Sequence, residues 1–421
     1  MTTLQRSLVE RDRAHVWHPF TQHGSEPEPL AIAAASGSRL TLADGTELID
    51  AVSSWWTCLH GHGHPELRAA AESQASQLDH TLFAGTTHEP AVELAERLVD
   101  MTPAGLSRVF FSDNGSTSVE VALKMVRQRW VQEGQPERMV FVSLTGGYHG
   151  DTFGAMAAGD PDPFFLPFQS MMFEVRRVAP EASALEAALA ELGERACGVI
   201  LEPLLQGAAG MRMHSPEFLR AARAACDAHG LPLIADEVLT GFGRTGTLFA
   251  CDQAGISPDL MCLAKGLTSG MFPLAVTMAR EDMFASFLSD DRSRAFFHGH
   301  TNTAHPIGCA VANASLRITI RDDVPARLTA IGKRIHAALQ PLVEHPRVTN
   351  MRVLGGVVAF DIKTNASGYL QGDPYTLRRR AIERGVLLRP LGNVMYAMPP
   401  ACTTDEECDQ IAQVMIELVD D

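Results

Sequence analysis

Between residues 105 and 280 short apolar runs alternate with segments whose apolar residues recur at helical spacing. This pattern predicts parallel strands covered by crossover helices. Strands are expected at 108–111, 139–142, 198–201, 231–235, 260–263 and 274–278. The stretch 116–130 carries Val119, Leu123, Val126 and Trp130 on one stripe, and 216–229 has Ser215 as cap, Pro216 at its first turn and Gly230 as stop. Both are read as helices. The ends of the chain differ from this centre. Residues 36–50 read as strands joined at Asp44-Gly45, and the tail alternates helices with short strands at 353–362 and 386–389. A last helix starts at Thr403 or Thr404, because Glu406 and Glu407 offer a capping-box partner in either register. Loops are expected at 24–29, 159–168 and 297–306. The expected organisation is a large α/β domain over 55–315 and a smaller one assembled from 1–54 and 316–421.

The 421 residues are 46% hydrophobic and 20% charged, which suits a buried core and argues against disorder. A net charge of −15 repels nucleic acid and anionic membrane surfaces. The longest early apolar run, 30–35, is far below the roughly 20 residues of a membrane span. Glu10, Arg11, Asp12 and Arg13 stand where a secretory signal needs apolar residues, so a cytoplasmic location is expected. Eight cysteines without a C-x-x-C pair indicate neither disulfides nor structural zinc.

Two ionisable residues end predicted central strands: Asp236 follows Leu-Pro-Leu-Ile-Ala, and Lys265 follows Leu-Met-Cys-Leu-Ala. That edge of a parallel sheet is where ligands bind. Taken singly, Asp236 reads as a turn residue and Lys265 as a loop lysine; together they suggest a pyridoxal phosphate site. A buried lysine amine attacks an aldehyde, and a carboxylate keeps a pyridine nitrogen protonated so that the ring takes up electrons. Ser112-Asp113-Asn114-Gly115-Ser116 leads from strand to helix and offers Gly115 and Ser116 to a phosphate, or serves as an ordinary cap. Gly241-Phe242-Gly243-Arg244-Thr245-Gly246 fits a dinucleotide fingerprint, but no helix opens at it and no acidic residue ends a second strand, so a nicotinamide site is rejected. His60, His62 and His64 lie in a glycine-rich loop, with nothing nearby to complete a metal site, and His298, His300 and His305 are read the same way.

The run 233–238 with Asp236, the glycine motif 241–246, and Lys265-Gly266 at a gap of 29 from Asp236 together resemble the class III pyridoxal phosphate aminotransferases of fold type I. Val16-Trp17-His18-Pro19-Phe20, Ser53-Ser54-Trp55-Trp56, Gly147-Tyr148-His149-Gly150 and Arg389-Pro390-Leu391-Gly392 extend that resemblance over the whole chain. It implies a mostly parallel sheet in a large domain, a small α/β domain from both termini, and a homodimer with shared sites. Lys265 would bond the cofactor aldehyde and move the substrate proton, Asp236 would pair with the ring nitrogen, and Tyr148 would stack on the ring. Gln206 would approach the ring oxygen; Gly115 and Ser116 would hold the phosphate, joined by His300 and Thr301 from a second subunit. Trp55, Gly299, Phe20 and Tyr396 would line the substrate channel, and Arg389 would bind a carboxylate. Within the family, the resemblance is to members of biotin synthesis that aminate 8-amino-7-oxononanoate, with S-adenosylmethionine as donor. Those members usually carry tyrosine at the Phe20 position, and phenylalanine occurs in relatives of the lysine-donor type; the double tryptophan and Tyr396 lean toward S-adenosylmethionine. Ala304-His305-Pro306 also departs from the family's usual Gly-Asn-Pro. Rivals are a broad ω-amino acid or diamine aminotransferase and an aminomutase that needs no external donor.

Overall fold

The computed structural model describes residues 7–363 and 374–420. The outermost parts of the expected terminal segments, 1–6 and 421, lie outside the described residues. A seven-stranded sheet forms the centre, in the spatial order Leu106–Ser112, Ala275–Arg280, Leu260–Leu263, Leu233–Asp236, Ala196–Leu201, Val140–Leu144, Val175–Val178. Only Ala275–Arg280 runs against its neighbours; the remaining adjacent pairs are parallel. The inner strands Ala196–Leu201, Leu233–Asp236 and Leu260–Leu263 are buried at every position, which is why they read as unbroken apolar runs.

All six expected strands belong to this sheet. The seventh, Val175–Val178, was not expected: Val-Arg-Arg-Val is a short edge strand whose arginines interrupt the apolar signal. The expected helices are Gly115–Gln132 and Pro216–His229. Ser215 Oγ accepts from Phe218 N at 3.3 Å, and Gly230 ends the second helix in the left-handed conformation at φ 62°.

Both ends of the chain meet in a four-stranded sheet, where Val386–Leu387 lies parallel to Glu47–Asp50 beyond Arg39–Leu42 and Ile32–Ser36. The single strand expected at 353–362 is instead a hairpin, Val348–Leu354 and Val357–Ile362, because Gly355 and Gly356 turn the chain between two apolar runs. Val394–Ala397 completes that sheet. The helix Asp405–Asp420 takes the Thr404 register, with Thr404 Oγ1 accepting from Glu407 N and Glu407 Oε2 accepting from Thr404 N. The boundary expected at 315/316 falls inside the helix Pro306–Arg321.

The glycine motif 241–246 joins the two units. Gly356 N donates to Arg244 O, and the wholly buried Arg244 side chain reaches Pro399 O at 3.0 Å. Its glycines serve close packing: a Cβ on Gly243 would stand 3.1 Å from Pro325 and one on Gly246 3.0 Å from Thr329 Oγ1. Between the units, Trp56, Leu239, Val357, Leu391 and Tyr396 form a small core of their own.

Candidate active site

Parallel pairing sets Asp236 opposite Cys262, so the strand that ends at Asp236 and the strand that leads to Lys265 finish side by side. A cavity of about 710 Å³ opens there, lined by Gly115, Ser116, Tyr148, His149, Glu202, Asp236, Lys265 and Trp56. The sequence brought five of these forward as site residues: Gly115, Ser116, Tyr148, Asp236 and Lys265.

Behind Asp236 lies a group that sequence reasoning missed. His149 Nδ1 is 2.7 Å from Asp236 Oδ2, with both side chains almost wholly buried, and Asp236 Oδ1 accepts from Val238 N at 3.1 Å. Burial alone pushes the His149 imidazole down, but the hydrogen bond and charge of Asp236, helped by Glu202, outweigh it and raise its pKa. The raised pKa favours the imidazolium form of His149, which sets a positive charge against the Asp236 carboxylate. Glu202 is pushed up to about 7 by burial, against the opposing pull of His149, and accepts from Tyr148 N at 3.0 Å and Gly207 N at 3.0 Å. Tyr148 is tied at its other end by its hydroxyl, which donates to Asp151 Oδ1 at 3.0 Å. Burial lowers the pKa of Lys265, with Asp236 and Glu202 resisting, which favours the neutral, nucleophilic amine. Its Nζ sits 5.1 Å from the centre of the Trp56 ring.

The helix Gly115–Gln132 begins at the same cavity. Asn114 caps it by accepting from Thr117 N at 3.0 Å, and the first helical bond is Ser118 N to Asn114 O, so the Gly115 and Ser116 amides precede the helical ladder. Gly115 must be glycine for the close approach of Val238: a Cβ would stand 2.6 Å from its Cγ1. Gly150, at φ 121°, has the same role against Ser116. A helix start for an anion, an acid for a ring nitrogen and a buried amine for an aldehyde fit pyridoxal phosphate in charge and chemistry.

From Tyr148 a file of aromatic rings leads away. Its ring centre is 6.0 Å from Phe164, Phe164 is 5.8 Å from Phe20, Phe20 is 5.5 Å from Trp55, and the Arg389 guanidinium lies 4.2 Å over Trp55. Phe164 was not foreseen, since it falls in an expected loop. Arg378 was also missed; burial and the nearby Arg389 charge lower its pKa.

The remaining expected residues sit elsewhere. Gln206 is fully buried beside the cavity, its amide nitrogen donating to Thr145 O at 3.2 Å and its Oε1 without a hydrogen-bond partner among the described residues. Tyr396 is 1% exposed, behind Trp56, and its hydroxyl accepts from Trp56 Nε1 at 2.9 Å. Gly299, His300 and Thr301 do not line this cavity; Gly299 and Thr301 are exposed. Of the first histidine cluster, His60 is buried against Ser315 and pushed down to about 4 by burial, while His62 pairs with Asp50.

Trp55 and Trp56 are presented by an unusual turn. Ser53, Ser54, Trp55 and Trp56 all have positive φ (49°, 42°, 67° and 74°), a left-handed helical turn without a glycine. Left-handed geometry costs roughly 1–2 kcal/mol per residue, so other contacts must hold this turn.

The fold and site define a pyridoxal phosphate-dependent aminotransferase. A class III aminotransferase family profile matches residues 20–419, and the chain belongs to that family. It is 47% identical over 423 residues to the adenosylmethionine-8-amino-7-oxononanoate aminotransferase of Synechococcus elongatus, covering 97% of this chain and 99% of that one. The enzyme of the same name from Mycobacterium leprae is 40% identical over 97% of this chain and 95% of its own. Among solved structures, that of the like-named enzyme from Methanocaldococcus jannaschii superposes with a TM-score of 0.94 at 33% identity, covering 98% of both chains. A PLP-bound amine transaminase from an uncultivated Pseudomonas species gives 0.89 at 32% identity, over 96% of this chain and 98% of that one.

Proposed function

We propose that this enzyme aminates 8-amino-7-oxononanoate to 7,8-diaminononanoate in biotin synthesis, taking the amino group from S-adenosylmethionine. The observation that carries the reading is the file Tyr148, Phe164, Phe20, Trp55 ending at Arg389. It offers an apolar wall and a terminal guanidinium to an acceptor that has a ketone at one end, a methylene chain, and a carboxylate at the other. The names of the relatives agree with it.

Bound pyridoxal phosphate supplies an aldehyde that exchanges amino groups and a ring that takes up electrons. The amides of Gly115 and Ser116 would hold the phosphate at the helix start. Asp236, paired with His149, would hold a proton on the ring nitrogen. Lys265, with its pKa lowered by burial, carries the proton to and from the substrate's reacting carbon in both halves of a ping-pong exchange. Tyr148, anchored through Glu202 and Asp151, closes one side against water. Arg389 orients the acceptor tail.

We assign Gly299, His300 and Thr301 to the cavity of a second copy in a homodimer. Their absence from this chain's own cavity, and the exposure of the neighbouring Phe297, support that assignment. A division into a large central domain and a small one from both termini, with the later boundary outside the helix Pro306–Arg321, belongs to the same proposal, as does a cytoplasmic location. Among the described residues no helix is long and apolar enough to cross a membrane.

The test is spectroscopic. The cofactor's visible band bleaches on mixing with S-adenosylmethionine and returns on adding 8-amino-7-oxononanoate. Bleaching by 4-aminobutyrate alone overturns the assignment. Phe20 lacks the hydroxyl usual at its position in S-adenosylmethionine-using members, so a response to lysine alone moves the donor and keeps the acceptor. Lys265→Ala abolishes both the response and turnover.

A further inference from the structure

Two features remain outside this account: the left-handed turn Ser53–Trp56 and the one histidine of the glycine-rich triplet that faces it. They are joined by Asp50, whose carboxylate has no exposure to solvent. Asp50 Oδ1 accepts from Ser54 N at 3.0 Å and from Val52 N at 3.3 Å. Asp50 Oδ2 accepts from Ser54 Oγ at 2.7 Å and pairs with His62 Nε2 at 2.8 Å. His62 Nδ1 in turn faces Cys58 Sγ at 3.6 Å, just beyond the turn.

One carboxylate thus binds the turn through its backbone and through a side chain, and one imidazole closes the ring of contacts. The hydrogen bond to Asp50, aided by Cys58, holds the His62 pKa up to about 10, so the ring is a cation at neutral pH. Burial pushes Asp50 toward the acid form, but His62 and Ser54 outweigh it and leave the carboxylate ionised. The far side of the turn is pinned by Ser53 Oγ, which donates to Met398 O at 2.7 Å. The next side chains out are Trp55, under the Arg389 guanidinium, and Trp56, hydrogen-bonded to Tyr396.

We infer that Asp50 and His62 are positioning residues of the acceptor channel: their ion pair clamps the left-handed turn and thereby fixes Trp55 against Arg389. Neither touches substrate. Both act on specificity through the tryptophan, and this rests on the reading of Trp55 and Arg389 as the channel's end. A backbone that ordinary residues avoid is held in place by a buried charge pair at the point where the substrate's tail is measured.

The experiment uses the holoenzyme, with His62→Gln and Asp50→Asn as single variants and His62→Gln combined with Ser54→Gly as the rescue. Each single variant raises the acceptor KM about tenfold, the scale of one lost cation–aromatic contact, with kcat and the cofactor's visible band unchanged. Adding Ser54→Gly to His62→Gln brings KM part of the way back toward wild type: glycine takes left-handed φ without a Cβ penalty, and although the Ser54 Oγ bond to Asp50 is lost, the amides of residues 52 and 54 still bond its Oδ1. A scaffold role would not produce that recovery. Unchanged KM in both single variants overturns the inference, as does a parallel fall in kcat and cofactor content without rescue. If the wild-type enzyme fails to aminate 8-amino-7-oxononanoate at all, the proposed function falls, and the clamp is read from near-ultraviolet dichroism of the tryptophans. A change in His62→Gln that Ser54→Gly reverses then supports it, and an unaltered spectrum overturns it.

Discussion

Replacing His149 by leucine removes the cation 2.7 Å from Asp236 and leaves that carboxylate buried beside an apolar side chain. Breaking a buried pair by deleting one partner costs about 3–5 kcal/mol, because the remaining charge has lost both water and its counter-charge. Here the pair is nearly wholly buried, side chains 1% and 5% exposed, so little solvent screening reduces that cost. With an unfolding entropy near 2.1 cal/mol/K per residue, over 421 residues, the melting temperature of the apoenzyme falls by about 3–6 °C. In the holoenzyme the ring nitrogen's proton would give Asp236 a second counter-charge, so the fall is smaller. The assay is paired thermal melting of apo and holo protein at pH 7.5, wild type against variant. Equal losses in the two forms would refute the claim that His149 and the cofactor nitrogen share one carboxylate. No loss in the apo form would show that the charge pairing of His149 with Asp236 is wrong.

Three other outcomes follow from the site. Glu202 has its pKa raised from 4.5 to about 7, so the folded protein binds its proton more tightly than the unfolded chain, and stability is lost as pH rises through that window. Glu202→Gln, which stays neutral, therefore gains on wild type in unfolding free energy between pH 4.5 and 7, by up to about 3 kcal/mol in denaturant titration; a difference independent of pH would contradict this. Arg389→Ala raises the acceptor KM about 100-fold, as expected for a lost bidentate charge-assisted contact, while the cofactor band in steady-state spectra stays as in wild type. Damage to both would mean the arginine acts elsewhere. Tyr396→Phe strands the buried Trp56 Nε1 donor and lowers stability by about 1–3 kcal/mol in denaturant titration; an unaltered midpoint would mean that the indole finds another acceptor.

The central sheet could be read from the sequence because its inner strands are buried on both faces and so are apolar without interruption. Asp236 and Lys265 were visible for the same reason: each is an ionisable residue at the end of such a run. Reading failed where the deciding partner is distant in sequence or where chain direction changes. Val175–Val178 hides behind Arg176 and Arg177, and the turn at Gly355 was masked by apolar residues on both sides. His149 and Glu202 carry no local signature, since what makes them functional is a carboxylate 87 residues away in one case and two backbone amides, of Tyr148 and Gly207, in the other. The left-handed turn at Ser53–Trp56 has no glycine to announce it. Its cause is Asp50, three positions upstream, and a histidine beyond it.

The ladder between Leu233–Asp236 and Leu260–Leu263 has one more implication. Acid and amine are spaced by two neighbouring backbones in hydrogen-bonded register, and the polypeptide that travels between them plays no part in measuring the gap. At the exposed turn around Gly255, whose left-handed φ of 63° closes the short helix Ala250–Ala254, no neighbouring atom lies within 4 Å of where a side chain would start, so the excursion has room to lengthen or shrink there. The reaction centre is in this sense insulated from that turn, which lies at the amino end of the strand while the acid and the amine stand at the carboxyl ends.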